Sequence, residues 1–493
     1  MKFYSTRGGQ IVENSAQAIY NGLATDGGLF VPEAFPQVFN KINEMLDMDY
    51  PQRACEVVHA FLEEYDKDDL LKGCINAYSK FDNNEPAPVV KIDDDTFVME
   101  LFHGPTNAFK DLALTLLPYL LRKGADICGR QEKILILVAT SGDTGKAALE
   151  GFKGQDGVSI LVFYPSEGVS DMQKASMQTQ DGANVMVYGI NGNFDDCQTA
   201  VKNIFSSDKI KNELAENNVV LSSANSINFG RLVPQIAYYF SAYSDLVNSG
   251  EIKVGDKINF CVPTGNFGNI LAGYYAKQMG LPVEKLICAS NNNNVLTEFF
   301  CEGTYDVNRE FFKTMSPSMD ILISSNLERL IFELSGRDSK ITLDRMSELK
   351  NKGKYSITDL EKKELDKVFY ANYCEEEECL EVISDTFEEL DYTPDTHTSV
   401  ALKVYNDYAV QSASKTKTVV VSTASPFKFA SDVLFGLTGK KVKDAFKACK
   451  ILSEQTALEI PSMISSLQNK QLKFTKVINK TQTAEVVLEF AKR

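Results

Sequence analysis

Tryptophan is absent from the 493 residues and histidine occurs only three times. The missing tryptophan says nothing about function, but the scarcity of histidine does. The ten cysteines are scattered and form no Cys-x-x-Cys pair, and Cys374 and Cys379 bracket a run of glutamates. Without paired thiols or enough imidazoles to complete a tetrahedral ligand set, no zinc site is expected. Reduced thiols of a cytoplasmic enzyme are the better reading of these cysteines. Positive charge is also in deficit, with 51 Lys and Arg against 67 Asp and Glu, a net charge of −16. That sign argues against nucleic-acid and anionic-membrane partners. Any anionic ligand must therefore be held by local groups and not by the global field. No uncharged apolar run approaches the length of a bilayer span. The opening Met1–Gly9 lacks a signal-peptide pattern, so a cytoplasmic location is expected. Asn479-Lys480-Thr481 matches a glycosylation sequon and is read as chance.

What is present is the composition of a globular protein: 44% hydrophobic and 24% charged residues rule out a disordered chain. The length predicts about two to four domains. Residues 1–88 read as mostly helical, with Ala54–Leu62 as one amphipathic stretch, and a proline-bearing stretch closes them at Pro88. Apolar runs then alternate with helical segments: Lys133–Ala139, Val158–Tyr164, Asn184–Tyr188, Val219–Ser222, Ile258–Pro263 and Leu286–Ala289. Near-continuous apolar strands spaced by helices indicate parallel sheets covered on both faces. Residues of about 303–395 break the rhythm and read as a charged helical insertion at the surface. Lys417–Ser422 returns to the α/β pattern.

Four junctions carry chemistry. Lys110 follows the turn His103-Gly104-Pro105-Thr106 and precedes the apolar Leu112–Leu117, which places its ammonium at the mouth of a helix. Desolvation there favours the neutral amine, although the segment alone also fits a capping or snorkelling lysine. Thr140-Ser141-Gly142-Asp143-Thr144-Gly145-Lys146 joins a strand to a helix and offers backbone N–H groups to an anion; a plain βα turn fits equally. It is not a Walker A loop, since no glycine stands five residues before Gly142 or Gly145 and Ala147 follows Lys146. Gly265-Asn266-Phe267-Gly268-Asn269 is a stronger phosphate loop, because two glycines allow close backbone approach just before a helix. Thr423 ends a strand where open α/β sheets place ligands, and on its own also fits a helix cap. Between these, Asn225, Asn228 and Arg231 offer neutral donors and one guanidinium able to fork onto phosphate, or a solvated surface loop.

Together, Phe102–Thr106 with Ala108–Asp111, Thr140–Gly145, Ser226–Arg231, Pro263–Asn269 and the opening Tyr4–Gly8 resemble threonine synthase, in identity and in order, as far as Phe427. Met315–Asp320 and Ser325–Arg329 resemble the family's longer microbial and fungal-like branch. The resemblance implies two parallel-sheet-containing pyridoxal-phosphate domains of the tryptophan-synthase-β-like type (fold type II), with a helical N-terminal domain and a helical insertion. The implied large domain takes residues 89–130 and 230–450 and the small domain 131–229, with 451–493 packing on the large domain. Lys110 matches the lysine that bonds to pyridoxal 5'-phosphate. Gly265, Asn266, Phe267, Gly268 and Asn269 match the cofactor-phosphate loop, and Thr423 the residue facing the pyridine nitrogen. Ser141, Gly142, Asp143, Thr144 and Gly145 match the loop for the substrate carboxylate, and Lys146, Asn225, Asn228 and Arg231 are weaker candidates for the substrate phosphate. The implied reaction turns O-phospho-L-homoserine and water into L-threonine and phosphate, in a monomer or homodimer. A threonine or serine dehydratase, a phospho-lyase of the same fold and a non-catalytic ligand-binding relative are the alternatives.

Overall fold

The Val-, Ile- and Leu-rich runs become strands buried on both faces. The computed structural model describes residues 1–82, 85–140, 142–167 and 169–492, apart from the side chains of Asp171 and Asp195. In chain order the strands are β1 (Phe3–Ser5), β2 (Ile11–Val12), β3 (Phe30–Pro32), β4 (Val89–Lys91), β5 (Thr96–Glu100), β6 (Lys133–Ala139), β7 (Val158–Pro165), β8 (Val185–Ile190), β9 (Val219–Ser222), β10 (Ile258–Pro263), β11 (Val283–Ser290), β12 (Thr304–Asp306), β13 (Lys354–Ser356), β14 (Phe369–Tyr373), β15 (Thr418–Ser422) and β16 (Val477–Ile478).

Two sheets organise the molecule. The larger has the order β14-β11-β10-β15-β5-β4, parallel except for the antiparallel edge β4. The smaller has the order β16-β8-β7-β6-β9 and is parallel throughout. Every residue of β10 and β15 is buried, as a parallel sheet with helices on both faces requires. The architecture is the expected α/β one. The helix Phe229–Asn248 runs through the centre and packs on helices Tyr50–His59 and Gly268–Gln278. Its Tyr238, Tyr239 and Tyr243 are fully buried, and each hydroxyl has a hydrogen-bond partner. Buried phenols without such partners would cost about 1–3 kcal/mol each.

The structure differs from the sequence expectations in three places. Residues 1–88 carry the small antiparallel sheet β2-β1-β3 beside their helices. Strands of two or three residues are too short to show a period.

The segment 303–395 holds the helices Leu327–Leu334, Ser339–Lys352, Asp359–Val368 and Glu376–Leu390, but it is not confined to the surface. Its β14 pairs in parallel with β11 at the edge of the large sheet, and Arg329 within it is fully buried. Arg345 and Glu361 fasten two of its helices by a buried two-pronged ion pair of 2.7 and 2.6 Å.

The end of the chain does not pack on the large domain as a unit. Helix Ala445–Thr456 packs on helix Ala430–Thr438, beside the large sheet. Farther on, β16 pairs with β8, and Val487 and Phe490 join Leu135, Leu161 and Phe163 in the core of the small sheet. The open edge of β8 and the apolar face beside it are what draw these residues across.

Candidate active site

Both sheets aim their strand ends at Lys110. The loop after β5 is tied to the loop after β15 by Leu101 N–H donating to the Ser422 carbonyl and Phe109 N–H to the Thr423 carbonyl, each at 2.9 Å. The turn folds back on the helix Lys110–Leu114: Thr106 donates to the Asp111 carboxylate from its backbone N–H (2.7 Å) and its hydroxyl (2.6 Å). Gly104 is needed there, since a Cβ would lie 2.6 Å from Asp111. Burial pushes the Asp111 carboxyl up to about 6, and the two Thr106 donors oppose it.

The Lys110 amine is 3.5 Å from Ser318 Oγ, 3.9 Å from Asp143 Oδ2 and 4.7 Å from the centre of the Phe109 ring. Burial lowers its pKa to about 8; Asp143 pulls it back up, while the charges of Lys428 and Arg231 push it down. A group with this pKa is neutral in roughly a tenth of molecules at pH 7 and about half at pH 8. Covalent capture of pyridoxal phosphate by the apoprotein, followed by visible absorbance, is therefore expected to accelerate steeply up to about pH 8 and to level off by about pH 9. A rate still climbing toward pH 10.5, the range of an exposed lysine, would contradict this environment.

Asp143 opens the helix Asp143–Phe152, after β6. Its carboxylate accepts from Lys428 Nζ at 3.0 Å, and Lys428 also donates to the Thr106 carbonyl at 2.9 Å. Burial would raise the Asp143 carboxyl, but Lys428 and Lys110 hold it well below the usual carboxylate range. The pair joins the small sheet's first loop to the last loop of the large sheet. Gly142 and Gly145 bring their N–H groups to the Thr140 hydroxyl, both at 3.0 Å. The cradle expected for a carboxylate is thus partly filled by the chain itself, and Ser141 lies outside the described residues.

The loop after β10 is braced from the 303–395 segment. Ser324 donates to the Gly265 carbonyl at 2.7 Å, and Asn326 to the Asn266 carbonyl at 3.0 Å. Phe267 takes a left-handed φ of 62° and leads into helix Gly268–Gln278. The Asn269 carbonyl oxygen Oδ1 accepts from the Tyr238 and Tyr239 hydroxyls at 2.6 and 2.8 Å, and Nδ2 is buried with no partner. Arg231, also buried, donates to the Ala224 carbonyl at 2.6 Å while its Nε has no partner; burial lowers its pKa to about 10. Buried donors left unpaired are costly, so these two call for an acceptor. A phosphate monoester on the glycine loop, with a lysine nearby, meets the need of Asn269, and the residues fit pyridoxal phosphate.

Other expected residues serve elsewhere. Lys146 turns to Glu150 (3.3 Å) and to Gln180. Asn228 caps helix Phe229–Asn248 through Gly230 N–H and donates to the Ile19 carbonyl. Asn225 is exposed and Thr423 is buried. Residues not singled out from sequence also reach the site: Lys428, Ser318 and His397. Their segments were visible, but nothing local marked these side chains.

The threonine synthase N-terminus family matches residues 2–78, and the pyridoxal-phosphate dependent enzyme family matches residues 83–425. Threonine synthase-like 1 of Homo sapiens is 40% identical over 442 residues, which are 87% of this chain but 58% of that protein. The chain thus spans less than two thirds of that relative's length. Threonine synthase of Pseudomonas aeruginosa is 37% identical over 435 residues, covering 88% of this chain and 90% of the relative. The crystal structure of pyridoxal-phosphate-bound threonine synthase from Brucella melitensis superposes with a TM-score of 0.89 over the whole of both chains, at 35% identity.

Proposed function

The chain belongs to the threonine synthase family of pyridoxal-phosphate enzymes, and from that premise we propose that it converts O-phospho-L-homoserine and water to L-threonine and phosphate. The observation that carries this reading is the buried Arg231, a full positive charge with an unpartnered Nε, close enough to Lys110 to depress its pKa. A substrate that carries a phosphate beside its carboxylate gives this buried cation an anion to hold next to the reacting amine.

When bound, the cofactor supplies covalent capture of the substrate amine and delocalisation of negative charge on adjacent carbons. In this reading Lys110 would hold the cofactor at rest, and its neutral amine would take the substrate Cα proton and return protons along the chain. Arg231 holds the departing phosphate. Gly265–Asn269 would hold the cofactor phosphate, with Asn269 Nδ2 as a donor, and Thr423 would meet the pyridine ring. The N-terminus of helix Asp143–Phe152 would meet the substrate carboxylate. Asn269→Asp keeps the acceptor for both tyrosines but replaces the donor by an oxygen. It is expected to weaken cofactor binding by about 2 kcal/mol or more, roughly thirtyfold. Unaltered affinity in a cofactor titration would remove Asn269 from the phosphate site.

Incubation of the holoprotein with O-phosphohomoserine tests the reaction: threonine and phosphate should appear in equal amounts. A second reading is a phospho-lyase of the same fold. Ketobutyrate and ammonia in place of threonine would establish it. Among the described residues no helix is long and apolar enough to cross a membrane, and all ten cysteines are free. We place the protein in the cytoplasm, acting on a small-molecule substrate.

A further inference from the structure

Behind Lys110 stands a buried chain of polar groups that the reaction above does not use. Asp395 is fully buried and caps helix Thr396–Ser412, accepting from His397 N–H at 2.9 Å and Thr398 N–H at 3.3 Å. The same carboxylate lies 2.8 Å from His397 Nδ1. On the other side of the ring, His397 Nε2 is 3.2 Å from the backbone N of Ser318. A backbone N–H can only donate, so Nε2 must be the bare nitrogen. The proton is then on Nδ1, donated to Asp395. The tautomer is therefore set by geometry. The His397 ring packs on Phe429, its centre 4.7 Å away, and Thr396 Oγ1 donates to the Met315 carbonyl at 2.8 Å, so the Ser318 loop is held at two points. Ser318 has little freedom toward the cofactor loop either: a Cβ on Gly265 would lie 2.8 Å from its carbonyl oxygen. Its hydroxyl accepts from the Lys110 amine at 3.5 Å.

We propose that Ser318 is a catalytic residue and that His397 and Asp395 are its positioning residues: they fix the Ser318 hydroxyl so that it accepts from the Lys110 amine and directs the amine's lone pair toward the carbon it attacks. The amine otherwise swings on four rotatable bonds, and misdirection of a reacting group by about 1 Å costs on the order of a hundredfold in rate. The inference rests on Lys110 as the cofactor lysine and not on which amino acid is transformed.

The test uses the covalent capture of pyridoxal phosphate by full-length apoprotein, followed by stopped-flow visible absorbance, beside thermal melting of each apoprotein. Ser318→Ala and His397→Leu are expected to capture at least about tenfold more slowly, Ser318→Ala with a melting temperature near that of the parent. His397→Gln places an amide oxygen where Nε2 accepts, and should recover most of the rate. Parental capture rates in Ser318→Ala would overturn the proposal, as would a His397→Gln variant no faster than His397→Leu. Should His397→Leu fail to fold, Ser318→Ala still decides the matter, since it removes one oxygen from a half-buried loop. Capture needs no amino-acid substrate, so a protein that makes no threonine leaves this result unaffected.

Discussion

Lys110→Ala is expected to abolish the visible absorbance of the holoprotein and to reduce turnover by at least about a thousandfold, while leaving the fold intact. The two halves of this expectation have separate origins. Catalysis is lost because the amine is both the covalent anchor and the proton carrier, and no second amine can replace it. Lys428 is the nearest alternative, but it is committed to Asp143 at 3.0 Å and to the Thr106 carbonyl. The fold survives because the amine is a cost in the resting protein: it is desolvated, and its carboxylate neighbour stands off at 3.9 Å. Losing the buried methylenes and relieving the desolvated charge act in opposite directions. Visible spectroscopy, a phosphate-release assay and thermal melting check the three parts together, and an unchanged spectrum would sink the assignment of Lys110.

Asp143→Asn is expected to act in the opposite pattern, costing stability while making Lys110 more nucleophilic near neutral pH. The carboxylate is the partner of a buried Lys428 and a neighbour of Lys110, so its neutralisation leaves two buried cations facing each other. Breaking one side of such a pair costs about 3–5 kcal/mol. The Asp143 pKa is depressed in the folded state, so its stabilisation is fully present above the ordinary carboxyl range and is lost as pH falls through the depressed value. At pH 7 the whole deficit should therefore appear in denaturant unfolding. For Lys110 the sign reverses. Asp143 raises its pKa against burial, so the variant's amine should titrate below about 8 and the midpoint of cofactor capture should move to lower pH. A midpoint that stays put or rises would show that Asp143 does not act on Lys110.

The parts of this site that could be read from sequence share one property: each lies in a strand-to-turn-to-helix junction whose pattern is local. Lys110, Gly265–Asn269, the Gly142–Gly145 turn and the strand end at Thr423 are of that kind, and so is the parallel-sheet architecture that aims them. What could not be read depends on distant pairings. Lys428 has its role because Asp143 lies across the junction of the two sheets. His397 matters because Ser318 packs on it from 79 positions away. The free Nδ2 of Asn269 is defined by two tyrosines on another helix. The strands β14 and β16 escaped notice for simpler reasons: β14 sits among charged helices, and β16 is two residues long, too short to show a period of two.

The strand orders also fix when the molecule can be completed during synthesis. In the large sheet, β15 at residues 418–422 lies between β10 and β5, so the strand leading to Lys110 stays unpaired on that side until most of the chain has left the ribosome. In the small sheet, β8 waits for residues 477–478 to cover its free edge. Nascent chains therefore expose apolar sheet edges until residues 477–478 emerge, which is the condition under which chains associate wrongly or depend on chaperones. Loss of the last two dozen residues would make that interval permanent, and its first consequence would be poor solubility, ahead of any effect on chemistry.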